Sequence, residues 1–110
     1  MSTTKVLVIG LDGATFDLID PLIREHHLPT LGRLVQSGAR ATLQSTVPPI
    51  SAVAWTSLVT GRNPARHGIF DFARRVGNSY DFIPCTSRDR KCGAIWNILS
   101  EKGKKVGVIN

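Results

Sequence analysis

The sequence predicts an α/β fold built on a mainly parallel sheet. Two apolar runs, Lys5-Val6-Leu7-Val8-Ile9-Gly10 and Val106-Gly107-Val108-Ile109-Asn110, lack polar alternation, as strands covered on both faces do. Between them lie segments with helical apolar spacing that stop at glycine. The first run ends in Leu11-Asp12-Gly13, and open α/β sheets gather ligands at the carboxyl ends of their strands.

Taken in order, the first strand over residues 5–10 gives way to Asp12-Gly13. Asp12 reads either as a metal ligand, with Gly13 allowing close approach, or as a simple Asp-Gly turn. The glycines here do not spell a dinucleotide fingerprint. Residues 16–24 read as a short helix that Pro21 must disturb or restart. His26-His27 are expected at the surface, because adjacent residues do not share a helix face. Residues 28–38 form a stronger helix, with Pro29 in its first turn, a stripe of Leu28, Leu31, Leu34 and Val35, and Gly38 at its end. Residues 39–44 alternate and suit a strand beside the first.

The stretch 48–61 carries the chemistry. Pro48-Pro49 restrict the chain, Ser51 is a preferred N-cap, and Gly61 a preferred residue just past a helix end. An almost uncharged helix lies between, as expected of one enclosed by protein. A hydroxyl at its mouth faces free backbone N–H groups and the positive end of the helix dipole, an environment suited to phosphate. Ser51 is therefore either a cap or a nucleophile. Downstream, Arg62 suits the helix C-terminus, and His67 before Gly68-Ile69 is placed to hold a turn by hydrogen bonding. Residues 70–84 are irregular and aromatic, fit for a cover or short strands, with Arg74 and Arg75 on solvated surface or within reach of a phosphate. Residues 91–102 return to helix, with Ile95, Trp96, Ile98 and Leu99 as its apolar face and Gly103 at its end.

The totals exclude several classes. A 42% hydrophobic and 20% charged composition is that of a globular domain. The net charge of +6, from 14 Lys and Arg against 8 Asp and Glu, is dispersed without aromatic interleaving, so no nucleic-acid partner is expected. Cys85 and Cys92 make neither a metal pair nor a disulfide framework, which fits the cytoplasm. The run near the N-terminus is too short for a signal peptide or membrane helix, so no membrane partner is expected.

Val8-Ile9-Gly10-Leu11-Asp12-Gly13, Pro48 to Gly61 and Asn63-Pro64-Ala65-Arg66-His67-Gly68-Ile69, in this order, resemble the alkaline phosphatase superfamily, and most closely its type I phosphodiesterase and nucleotide pyrophosphatase branch. The resemblance implies a three-layer α/β sandwich, of which residues 1–110 would be the N-terminal part of a single truncated catalytic domain. It implies a metal-dependent phosphoric ester hydrolase with two divalent ions, zinc or else manganese, and a phosphate-ester substrate. Asp12 falls at the family's metal-binding aspartate, and Ser51, counted back from Thr60-Gly61, at its nucleophile, which also binds metal. The remaining ligands would lie outside this chain, leaving these residues inactive alone. Ser51 is followed by Ala52-Val53-Ala54-Trp55 rather than Phe-Pro-Asn, and Phe70-Asp71-Phe72 stands where an asparagine is usual, so nucleotide specificity does not carry over. The alternatives are a phosphomutase or phosphotransferase of the same superfamily, and a non-catalytic Rossmann-like module that binds a phosphate compound or a partner chain.

Overall fold

The computed structural model describes residues 5–109, which divide into two compact units between Leu43 and Gln44.

In the first unit, helix α1 spans Phe16–Arg24 and α2 spans Pro29–Ser37. Helix α1 runs unbroken through Pro21, which forgoes one ladder bond but does not restart the helix. Its end closes in a Schellman arrangement: His26 N–H donates to the Ile23 carbonyl at 3.1 Å and His27 N–H to the Leu22 carbonyl at 2.9 Å. The residue that must turn left-handed for this is His26, with φ 62°. Both histidines are exposed, as the sequence predicts. Pro29 opens α2, and Gly32 is its buried residue. A Cβ at Gly32 would come within 3.2 Å of Ile23 Cγ2, so the missing side chain lets the two helices approach closely. Arg40 ties residues 39–41 to α1, through an ion pair with Asp20 at 2.8 Å and its guanidinium stacked 3.8 Å from the centre of the Phe16 ring.

In the second unit, α3 (Ser51–Thr60) leads through Gly61 into the single turn α4 (Pro64–His67). A two-stranded antiparallel hairpin follows, β1 (Ala73–Arg75) with β2 (Phe82–Pro84), in register Arg74 opposite Ile83. After the short 3-10 turn Ser87–Asp89 comes α5 (Ile95–Glu101), four residues shorter at its start than the sequence pattern suggests. The buried residues of this unit are Val53, His67, Ile69 and Ala94.

The main departure from expectation concerns the sheet. Residues 5–10, 39–44 and 106–109 join no ladder among the described residues, and Asn110 lies outside them. Val6, Leu7, Val8 and Ile9 are 72–83% exposed. A strand exists only through bonds to a neighbour, and an apolar run has no two-sided cover without helices packed on both faces. The described residues therefore form an α/β chain with several helices and one small antiparallel sheet. Helix α3 is likewise only partly enclosed: Val53 is buried, while Leu58 is half exposed.

The left-handed His26 yields a direct expectation. Replacing it by glycine removes the Cβ penalty at φ 62°, so His26→Gly should raise stability by about 1 kcal/mol, read as a higher urea midpoint with unchanged slope. An unchanged or lower midpoint would show that this turn carries no strain.

Candidate active site

Ser51 is the first helical residue of α3. The position before it is Ile50, in extended conformation (φ −90°, ψ 130°), and no side chain caps the helix. The simple reading of Ser51 as an N-cap therefore does not match the geometry. Among the described residues its hydroxyl has no hydrogen-bond partner, and its side chain is half-buried. The approach loop is fixed by two bonds to the Pro48 carbonyl, from Thr46 Oγ1 and from Ile50 N–H, each 2.9 Å.

The helix mouth determines which donors are available. Val53 N–H and Ala54 N–H both bond the Ile50 carbonyl, at 3.0 and 2.8 Å. Ser51 N–H and Ala52 N–H have no partner among the described residues. These two orphan donors sit beside a free hydroxyl at the positive end of the helix dipole, the local arrangement that receives an anion.

The rest of α3 is held by local bonds. Thr56 and Thr60 hydroxyls donate to the Ala52 and Thr56 carbonyls, both at 2.7 Å. Gly61 closes the helix at φ 62°, its N–H on the Ser57 carbonyl. The next turn follows from Asn-Pro: Asn63 Oδ1 accepts from Arg66 N–H at 3.1 Å while Pro64 occupies the first helical position. His67 holds the following turn, as expected, with its Nδ1 accepting from Ile69 N–H at 3.1 Å. Ser57, ten residues earlier, meets the other ring nitrogen at 2.9 Å. No local pattern announces that pairing. Burial lowers the His67 pKa below its ordinary value.

Asp12 lies in the first unit, exposed in the turn before α1, with Gly13 at φ 69°. Two shallow hollows in that unit are lined by residues such as Phe16, Val35 and Arg40, and neither includes Asp12. Arg74 does not stand free for a phosphate: its Nε donates to Asp89 Oδ1 at 2.7 Å. Asp89 also accepts from the Thr86 N–H and hydroxyl, and these bonds, with the arginine, hold its carboxyl below the usual carboxylate range. Arg75 instead leans toward the Tyr80 ring, 5.9 Å from its centre.

No three His, Cys, Asp or Glu side chains cluster among the described residues. Asp12 and Ser51 are oxygen donors of the right kind for a hard or borderline cation, yet two donors fall short of the three protein ligands that a catalytic zinc takes. The described residues do not by themselves make a metal site. No helix among them is long and apolar enough to cross a membrane.

Residues 6–110 match the type I phosphodiesterase / nucleotide pyrophosphatase family. The match spans nearly the whole sequence, and the chain belongs to that family. It is a family of hydrolytic, typically metal-dependent enzymes, for which a phosphate ester is the fitting substrate. No curated protein and no solved structure matches the chain significantly.

The α4 cap can be tested directly. Asn63→Ala removes the acceptor for Arg66 N–H and should cost about 1 kcal/mol, whereas Asn63→Asp should retain nearly all of it. Equal losses in the two variants, measured by denaturant unfolding, would contradict the capping role.

Proposed function

We propose that this chain is the N-terminal part of a larger catalytic domain that hydrolyses a phosphoric ester through a phosphoserine at Ser51. The observation that carries the proposal is the mouth of α3, where a hydroxyl and two N–H groups that find no partner among the described residues share the first turn of the helix. Family membership supplies the reaction class. The exposed apolar runs at 6–9 and 106–109 support the larger domain, because such runs are stable as strands only between neighbours. A three-layer sandwich with a mainly parallel sheet would provide them.

In this reading Ser51 Oγ attacks phosphorus in line, the bond from phosphorus to the leaving oxygen breaks with its electron pair staying on that oxygen, and solvent water takes the serine proton and protonates the departing alkoxide to the alcohol. Ser51 N–H and Ala52 N–H hold a non-bridging oxygen as charge builds on it. Val53 N–H, already bonded to Ile50, takes no part. Water then cleaves the Oγ–P bond and releases the phosphate product. Two divalent ions, zinc or manganese, would supply Lewis-acid charge when bound, with Asp12 and Ser51 as this chain's donors and further ligands from the rest of the domain. The proposed setting is the cytoplasm.

Two outcomes are expected. In the complete enzyme, Ser51→Ala should lower turnover of a nitrophenyl phosphodiester at least about a thousand-fold while leaving the unfolding midpoint nearly unchanged. Retained turnover would remove Ser51 from the chemistry. The 110-residue chain alone should bind zinc weakly and show no measurable turnover. Steady hydrolysis by that chain, abolished by Ser51→Ala, would show that the site is complete without further ligands.

A further inference from the structure

His67 is the fully buried polar side chain among the described residues, at 0% exposure. It is the last residue of α4, and three different segments meet on it. Its Nδ1 accepts from Ile69 N–H, its Nε2 lies 2.9 Å from Ser57 Oγ on α3, and its carbonyl accepts from Lys91 N–H at 2.9 Å. The adjoining Gly68, at φ 81°, leaves room for the Lys91 stem, which a Cβ there would meet at 2.9 Å.

The hydrogen bonds fix the protonation state. A nitrogen that accepts from a backbone N–H carries no proton, so the proton of the neutral ring is on Nε2, and Nε2–H donates to Ser57 Oγ. His67 is thus unable to take the Ser57 proton, and the pair is not a nucleophile with its base. A second proton would have to enter at Nδ1, where it would face the Ile69 N–H, donor against donor. The charged groups on the packed elements do not relieve this. Helix α3 has no ionisable residue, α4 adds Arg66, and the segment at Lys91 adds Arg90 and Lys91. The Asp89 carboxylate, two residues before Lys91 in the chain, is taken by Thr86 and Arg74.

We propose that His67 is a proton-sensitive clasp. Neutral, it fastens α3 to the turn after α4; protonated at Nδ1, it loses the bond to Ile69 N–H, so the clasp opens at that end while Nε2–H still reaches Ser57. The sign follows from burial. With the folded state holding its proton less tightly than the unfolded chain, the stability from the clasp is complete above about pH 6.5. It is lost as pH falls through the lowered folded value, by up to about tenfold in the folding constant per pH unit. Because α3 begins at Ser51, release also loosens the element bearing the proposed nucleophile. That consequence rests on the functional reading above, whereas the clasp does not.

The test is nitrogen-15 NMR of the protein labelled at histidine, followed from pH 8 to 4.5, with hydrogen exchange of the α3 amides corrected for intrinsic rates. The expected result is an Nε2–H tautomer at His67 that persists below pH 6.5, with α3 protection falling as the ring finally protonates. In His67→Asn, which retains an acceptor for Ile69 N–H, α3 protection should no longer depend on pH. In Ser57→Ala, which keeps the histidine but removes the acceptor of its Nε2–H, the ring should protonate at lower pH than in the parent, whereas protonation at higher pH would mean that Ser57 donates to the ring and would overturn the clasp. A proton on Nδ1 at neutral pH, protonation of His67 at or above pH 6.5, or an unaltered pH profile in His67→Asn would each overturn the clasp. Should His67→Asn fail to fold, the tautomer and the Ser57→Ala titration decide alone. No activity is measured, so the result stands apart from the role of Ser51.

Discussion

A helix cannot satisfy its own first N–H groups, and the chemistry available to this chain depends on how α3 disposes of them. Extended backbone at Ile50 aims that residue's carbonyl at Val53 and Ala54, which are thereby used. Ser51 and Ala52 are left as donors, with no side chain to cap them. The dipole of a ten-residue helix adds its positive end at the same place. An anion is the natural partner for such a point, and a phosphate ester is the anion for which the family is built.

Much in the second unit serves to hold that helix. Gly61 terminates it, the Asn63-Pro64 turn reverses the chain, and the buried His67 fastens it from the side through Ser57. The clasp lies six residues along from Ser51, roughly 9 Å at the helical rise, so it constrains the helix without touching the mouth. A buried imidazole is a demanding tie, because both nitrogens must find partners in one tautomer. Here they do, and the same requirement makes the tie responsive to protons.

What was readable in the sequence divides along physical lines. Features set by neighbours in the chain were visible: the α2 stripe ended by Gly38, the αL glycine at Gly61, the turn held by His67, and Ser51 at the mouth of α3. Features set by distant partners were not. Residue 57 gave no sign that it would meet residue 67, and nothing predicted that Val53 N–H would be taken by Ile50. The left-handed His26 stands where glycine is usual, so local rules pointed away from it. The apolar runs at 6–9 and 106–109 were read as buried strands from their composition, but burial is supplied by neighbours, and among the described residues none pairs with them. Of the candidate site, the sequence marked Asp12 in a turn and Ser51 at a helix mouth, and the structure has them in those local settings, while no cluster of three His, Cys, Asp or Glu stands among the described residues.

The most direct measurement is acid-quenched mass spectrometry of the complete enzyme during turnover of a phosphodiester. Phosphorylation of the peptide that contains Ser51, at Ser51 itself, is the result this reading requires. A phosphoryl group on Thr46, Thr56 or Ser57 instead, or no covalent species under conditions that trap phosphoserine in comparable enzymes, would contradict it.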